Sequence, residues 1–209
     1  MMPPSLPPGS LIRAIEVIAI LVGALSGFIE ARRKRMDVVG VFTVAFITAF
    51  GGGTLRDILL DKRPLFWVAH QEYAILTFVL ALVAAPLVRT LRQIVSERLI
   101  VIADAIGLGL FAIAGVSEAL RAGMPLFIAS MMGVITGIFG GVLRDIVCNE
   151  VPMVLRDGKP YAICAFIGCW LYLAQKHFGV AADVALWTSA AAITVLRLLT
   201  WKFDLRLGR

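Results

Sequence analysis

Apolar residues run through this chain in long blocks separated by short polar clusters. Blocks near 11–30, 37–60, 67–88, 99–120, 125–149, 160–177 and 181–201 approach the roughly 20 residues that an α-helix needs to cross a bilayer. The clusters DKRP, RAGMP, VLRDGKP and KHFGV read as turns between them. The pattern predicts an all-α integral membrane protein of seven transmembrane helices. These blocks fill residues 1–209 as a single transmembrane domain and leave no stretch for a soluble one.

Composition sharpens this reading. Of 209 residues, 60% are hydrophobic and only 16% are charged, and the mean hydropathy is +0.91. A water-soluble domain is usually about half apolar, so the excess must face lipid. The formal charge of +6 gathers at the ends of the apolar blocks and forms no basic stripe interleaved with aromatics. Nucleic acid is therefore not an expected partner. Counting Lys and Arg on alternate sides gives one heavy side: Arg32, Arg33, Lys34, Arg35, Arg89, Arg92, Arg98, Arg156, Lys159, Lys202, Arg206 and Arg209. The other side holds Arg13, Lys62, Arg63, Arg121 and Lys176. The heavier side is expected to be cytoplasmic, with the N-terminus out and the C-terminus in. The first apolar block runs into ARRKR and not into a small-residue cleavage site, so a retained first span is expected.

The chain also matches itself at an offset of 88 residues. GGTLRDILLDKRP (52–64) falls on GGVLRDIVCNEVP (140–152). Upstream, Gly27, Glu30, Ala31, Arg33 and Met36 fall on Gly115, Glu118, Ala119, Arg121 and Met124, and Glu16 falls on Asp104. Repeat one covers about 11–96, repeat two about 99–177, and a seventh helix at about 181–201 stands outside them. Three spans per copy make the halves an inverted 3+3 pair. Interrupted helices at matching places in such a pair point to a transport site near the midplane.

The interruptions are expected at Gly51-Gly52-Gly53 in the second span and at Gly140-Gly141 in the fifth. Each glycine lowers helix stability by about 1 kcal/mol relative to alanine, and a kink or unwound turn is expected there. Carbonyls freed by a lost turn would be tolerated only against protein or water and could replace part of a cation's hydration shell. Tight helix packing is the competing explanation of such small residues. Arg56-Asp57 and Arg144-Asp145 follow the glycines. An arginine at that depth should face the interior. Its neighbouring aspartate should point away on the helix, so that each arginine reaches a carboxylate or exposed carbonyls on another segment. Thr48 and Thr136 add hydroxyls to the expected ion path. A stripe of Glu16, Gly23, Gly27 and Glu30 is matched by Asp104, Phe111, Gly115 and Glu118. Its acids, Glu16, Glu30, Asp104 and Glu118, are candidate vestibule charges that concentrate cations, with pairing at the helix ends as the simpler alternative.

Catalysis finds no support: there is no HExxH, no GxSxG elbow and no phosphate loop. Cys148, Cys164 and Cys169 form no CxxC pair, and with His70 and His177 they supply no metal set. No enzyme activity, metal or cofactor is expected.

The doubled Gly-Gly-x-x-Arg-Asp, each with a proline seven residues after the Asp, in a three-plus-three-plus-one helix plan, resembles the trimeric intracellular cation channels. The likeness is to the prokaryotic branch and spans roughly residues 11–200. It implies a homotrimer in a prokaryotic plasma (inner) membrane, each protomer with its own path for potassium and other monovalent cations. It implies a path lined by kinked second and fifth helices, with Gly51, Gly52, Gly53, Gly140 and Gly141 at the kinks and Arg56, Asp57, Arg144 and Asp145 beside them. The second site reads Phe139-Gly140-Gly141, one glycine fewer, and the Lys-Glu-Val motif of the animal members is absent. Related bacterial sequences are linked to glycine transport, so a carrier for a small zwitterion such as glycine is the alternative. Inverted repeats suit it equally.

Overall fold

In a computed structural model, the backbone is described at residues 10–90, 97–156, 158 and 160–206, and side chains at 15–83, 98–156, 158 and 160–206. The Pro-rich start and Arg13, Arg89, Arg92, Lys159 and Arg209 of the charge count lie outside the residues whose side chains are described. The described chain is helical throughout: α1 (Ser10–Arg33), α2 (Val38–Leu59), α3 (Phe66–Ala69), α4 (Gln71–Thr90), α5 (Glu97–Arg121), α6 (Leu126–Val147), α7 (Tyr161–His177) and α8 (Ala182–Lys202). A single 3-10 turn spans Met153–Leu155. The seven long helices follow the seven predicted blocks. The third block, expected from residue 67, divides into the four-residue α3 and the longer α4. Four helices, α2, α5, α6 and α8, are apolar enough over 18 residues to cross a membrane by length and composition.

The turns repeat with the sequence register. Arg35 and Gly123, 88 residues apart, both take the left-handed conformation, at φ 58° and 76°. The following amides close the same bond, Met36 to Ala31 and Met124 to Ala119, each 3.0 Å. Asp61 and Asn149 are likewise matched, at φ 49° and 54°. Asp and Asn tolerate this region better than most residues. Each ends its helix in the same closure. Lys62 N–H bonds the Asp57 carbonyl at 2.7 Å and Glu150 N–H the Asp145 carbonyl at 2.8 Å, which satisfies carbonyls the helix end leaves free.

α2 and α6 cross at the centre. α1 packs on α2 as α5 packs on α6, and α8 lies against α5 and α7. α5 is the most enclosed: 72% of its apolar window is buried within the chain, against 39% for each of α2, α6 and α8. Apolar side chains left outside, among them Ile75, Val83, Leu126, Phe127 and Trp187, give the bundle an exterior suited to lipid or a neighbouring subunit.

Candidate functional site

Neither α2 nor α6 loses a turn at its glycines. The helix is continuous through Gly51, Gly52 and Gly53, and again through Gly140 and Gly141. The expected breaks, and the backbone carbonyls they would have freed, are therefore corrected. The glycines let two backbones touch. An added Cβ on Gly52 would overlap the Thr136 carbonyl oxygen of α6, and one on Gly140 would overlap that of Thr48 on α2. The outer helices approach in the same way. A Cβ on Gly27 would come within 2.6 Å of Thr48 Oγ1, and one on Gly115 within 2.5 Å of Thr136 Oγ1. The threonine hydroxyls turn inward, Thr48 donating to Val44 O at 2.6 Å and Thr136 to Met132 O at 2.7 Å. The small-residue packing alternative thus explains Gly52 and Gly140. Gly51 meets the flexible Leu143 side chain, and Gly53 meets nothing closer than 4.0 Å.

One turn beyond the crossing, each half buries a guanidinium between two carboxylates. Arg56 Nη1 donates to Glu16 Oε1 at 2.9 Å, and its Nε donates to Asp57 Oδ1 at 2.9 Å. Arg144 Nη1 donates to Asp104 Oδ1 at 3.0 Å, and its Nε donates to Asp145 Oδ1 at 2.9 Å. Each arginine does reach a carboxylate on another helix. The expectation that the adjacent aspartate points away is corrected, because the long arginine side chain folds back over it.

The second aspartate oxygen has a further task. Asp57 Oδ2 accepts the N–H of Phe66, which opens α3, and Asp145 Oδ2 accepts that of Met153, which opens the 3-10 turn; both bonds are 2.8 Å. The Asp therefore folds the returning chain onto its own helix. Glu16 and Asp104, expected near the bundle ends, are buried counter-ions of the arginines. Glu118 pairs with Lys62 at 2.7 Å and Arg121 at 3.0 Å, while Glu30 stands 3.7 Å from Arg33. With every group ionised, each cluster of one arginine and two acids carries a formal charge of −1.

The halves differ in what surrounds these clusters. Ser26, from α1 of the other half, accepts from Arg144 Nη1 at 2.6 Å, and the Tyr161 hydroxyl donates to Asp104 Oδ2. Two voids of about 20 Å³ lie beside the crossing. One is bordered by Glu16, Gly53 and Arg56, the other by Ser26, Thr48, Asp104, Gly140 and Gly141, and Phe111 borders both. Phe111 stands where repeat one has Gly23, and its ring comes within 3.3 Å of a Cβ placed there. A larger recess of about 240 Å³ opens on the far side of Arg144, with Glu30, Asp145 and Arg197 in its wall. Of the expected path residues, Gly51, Gly52 and Thr136 pack in the crossing, and Asp57 is fully buried as an anchor. Ser26, Tyr161 and Arg197 were given no role by sequence reasoning. A lone arginine inside the apolar block ITVLRLLTW was the readable signal for Arg197.

Among solved structures, the TRIC orthologue of Rhodobacter sphaeroides superposes with a TM-score of 0.85 at 31% identity, over 94% of this chain and all of that one. A second TRIC cation channel structure gives 0.82 at 36% identity, over 94% and 96% of the two chains. The chain belongs to the prokaryotic TRIC family. The matching family model is described as Glycine transporter, and it matches twice, at residues 13–89 and 101–177. The starts differ by 101 − 13 = 88, the register of the internal repeat. Curated relatives include the UPF0126 inner membrane protein YadS of Escherichia coli K12, 35% identical over 94% of this chain and 95% of its own length. A UPF0126 membrane protein of Vibrio cholerae is also 35% identical, over 94% of this chain and 82% of that one. Like these TRIC relatives, the protein is an integral membrane protein with a channel-type helical fold.

Proposed function

We propose that the protein is a monovalent cation channel, chiefly potassium-permeable, and that each protomer of a homotrimer holds one path. In this reading the seven long helices span a bacterial inner membrane as an inverted 3+3 pair plus α8, N-terminus out and C-terminus cytoplasmic. The observation that carries it is the pair of buried arginine–carboxylate clusters, each formally −1, flanking the α2–α6 crossing. A buried excess of carboxylate attracts a cation and repels an anion. The TRIC cation channel structures, alike over nearly the whole chain, lend further support.

The path runs beside the crossing, along the two small voids, and is lined by side-chain oxygens of Glu16, Ser26, Thr48 and Asp104. Voids of about 20 Å³ separated by Phe111 are too small for a hydrated ion, so the conformation described is closed. Opening requires Phe111 to turn aside and the arginine that bridges α1 or α5 to α2 or α6 to release its outer carboxylate. Liposomes containing the purified protein should release potassium at a rate proportional to protein, and Arg56→Ala and Arg144→Ala should change that rate. Unchanged flux in both variants would leave the arginines a purely structural role.

A second reading, a carrier for a small zwitterion such as glycine, is favoured by the description of the matching family model. It requires saturable glycine exchange across the same liposomes, with no potassium flux beyond the protein-free level.

A further inference from the structure

Two ion pairs tie one half of the chain to the other, and the 88-residue register sets them differently. Lys62 follows α2 and Glu150 follows α6, and their N–H groups close the same helix end on Asp57 and Asp145. Glu118 and Glu30 stand at matched places near the ends of α5 and α1. Lys62 Nζ donates to Glu118 Oε2 at 2.7 Å, a strap from the end of α2 to the end of α5. The counterpart positions, Glu150 and Glu30, are both acids and cannot form it. Glu150 is bonded instead by Lys34, which lies one turn beyond Glu30 and donates its N–H to the Glu30 carbonyl at 3.0 Å.

The second strap is thus displaced outward by one turn, about 5.4 Å along a helix. The recess of about 240 Å³ has Glu150 of this strap, Glu30 and Arg144 in its wall, whereas the void beside Arg56 is about 20 Å³. Glu118 is also the more enclosed acceptor. Its side chain is 11% exposed against 37% for Glu150, and its other oxygen accepts from Arg121 at 3.0 Å. Lys62 and Glu118 both act electrostatically on Glu16, the outer partner of Arg56, so the first strap adjoins that cluster. Phe111 lies seven residues before Glu118, two turns away on the same side of α5. The strap therefore joins the helix that bears Phe111 to the helix that bears Arg56, the two groups that opening has to move.

We propose that the Lys62–Glu118 pair is a latch that holds the path closed at the Arg56 end, and that the displaced Lys34–Glu150 pair is no such latch at the Arg144 end. This regulation rests on the conduction reading above. With the N-terminus outside, the latch lies on the external face and the recess on the cytoplasmic one. Breaking the pair frees the end of α5 from the end of α2 and lets Phe111 and Arg56 part.

The test has two arms. Potassium flux from liposomes should rise about fivefold in Lys62→Gln, the scale of one partly exposed ion pair. Lys62→Arg, which keeps the pair, and Lys34→Gln, on the other face, should match wild type. The second arm needs no flux. Gly53 borders the void beside Arg56, and a Cβ there meets only Arg56 Nη2, at 4.0 Å, so Gly53→Cys is accommodated. In the purified protein a water-soluble thiol reagent should label Gly53→Cys faster once Lys62→Gln is added, counted above the three native cysteines, which are buried. Equal flux in wild type and Lys62→Gln would overturn the latch, as would equal labelling with and without Lys62→Gln. Wild-type flux at the protein-free level would defeat the conduction reading instead, and the labelling alone would then decide the latch.

Discussion

The two halves carry the same arginine–aspartate motif, yet they hold it differently. In repeat one Arg56 has two carboxylate partners and no other hydrogen-bond partner among the described residues, and Tyr73 stacks on Phe66 at 5.8 Å. In repeat two the shorter Asp104 replaces Glu16, and Tyr161, the counterpart of Tyr73, turns onto it. Ser26 of the other half bonds Arg144, and Arg197 of α8 covers Tyr161. One motif thus became a compact cluster in one half and a larger network opening on a recess in the other. The constant part, Arg to its own Asp and Asp to the returning chain, is the scaffold of the fold. The variable part is what surrounds each arginine.

The largest effect should come from emptying the arginine sites. Arg144→Ala leaves Asp104 and Asp145 buried without their cation, which typically destabilises by about 3–5 kcal/mol. Arg56→Ala should be milder, because Arg56 bonds two side chains, Glu16 and Asp57, whereas Arg144 bonds three, Asp104, Asp145 and Ser26. Thermal melts of the purified variants would rank them, and equal losses would erase the distinction between the halves.

The glycines come next. Gly52→Ala and Gly140→Ala push a Cβ into a backbone carbonyl of the facing helix, and overpacking of this kind costs about 1–3 kcal/mol. Gly53→Ala meets only Arg56 Nη2, at 4.0 Å, and should be neutral or stabilising by up to about 1 kcal/mol through helix propensity. Sensitivity at Gly53 equal to that at Gly52 would restore the unwound-turn account. Phe111→Ala, which brings repeat two closer to the Gly23 of repeat one, should joint the two small voids and raise potassium flux in liposomes. A flux no higher than wild type would remove Phe111 as the barrier.

The smallest effect is at the surface. Hydrogen bonds from Lys34, then Arg156, hold the Glu150 carboxyl below its usual range. Its contribution is therefore complete above the ordinary carboxylate value of about 4.3 and lost as pH falls through the lowered one. The melting difference between wild type and Glu150→Gln should be slight near neutrality and vanish in acid.

Much of this was legible in the sequence. Hydropathy placed the long helices within a few residues, and the 88-residue register placed the glycines, arginines and aspartates in equivalent settings. The misread parts depend on a partner far along the chain. A glycine pair looks the same whether it frees its own carbonyls or admits those of another helix, and only the position of Thr136 O against Gly52 decides. Helical spacing correctly separates neighbouring side chains, but it does not anticipate an arginine long enough to fold back. Nor does it reveal that Asp57 would accept an amide nine residues on, since that bond needs the loop to close first. Arg197 is missed because its surroundings form only once α8 is docked against Tyr161, where its Nε and Nη1 lack a partner among the described residues.

The most direct test of cation conduction is a recording from the purified protein in a planar bilayer under a potassium chloride gradient. The account predicts discrete unitary currents that reverse near the potassium equilibrium potential. A silent bilayer from a preparation that exchanges glycine in liposomes would contradict it.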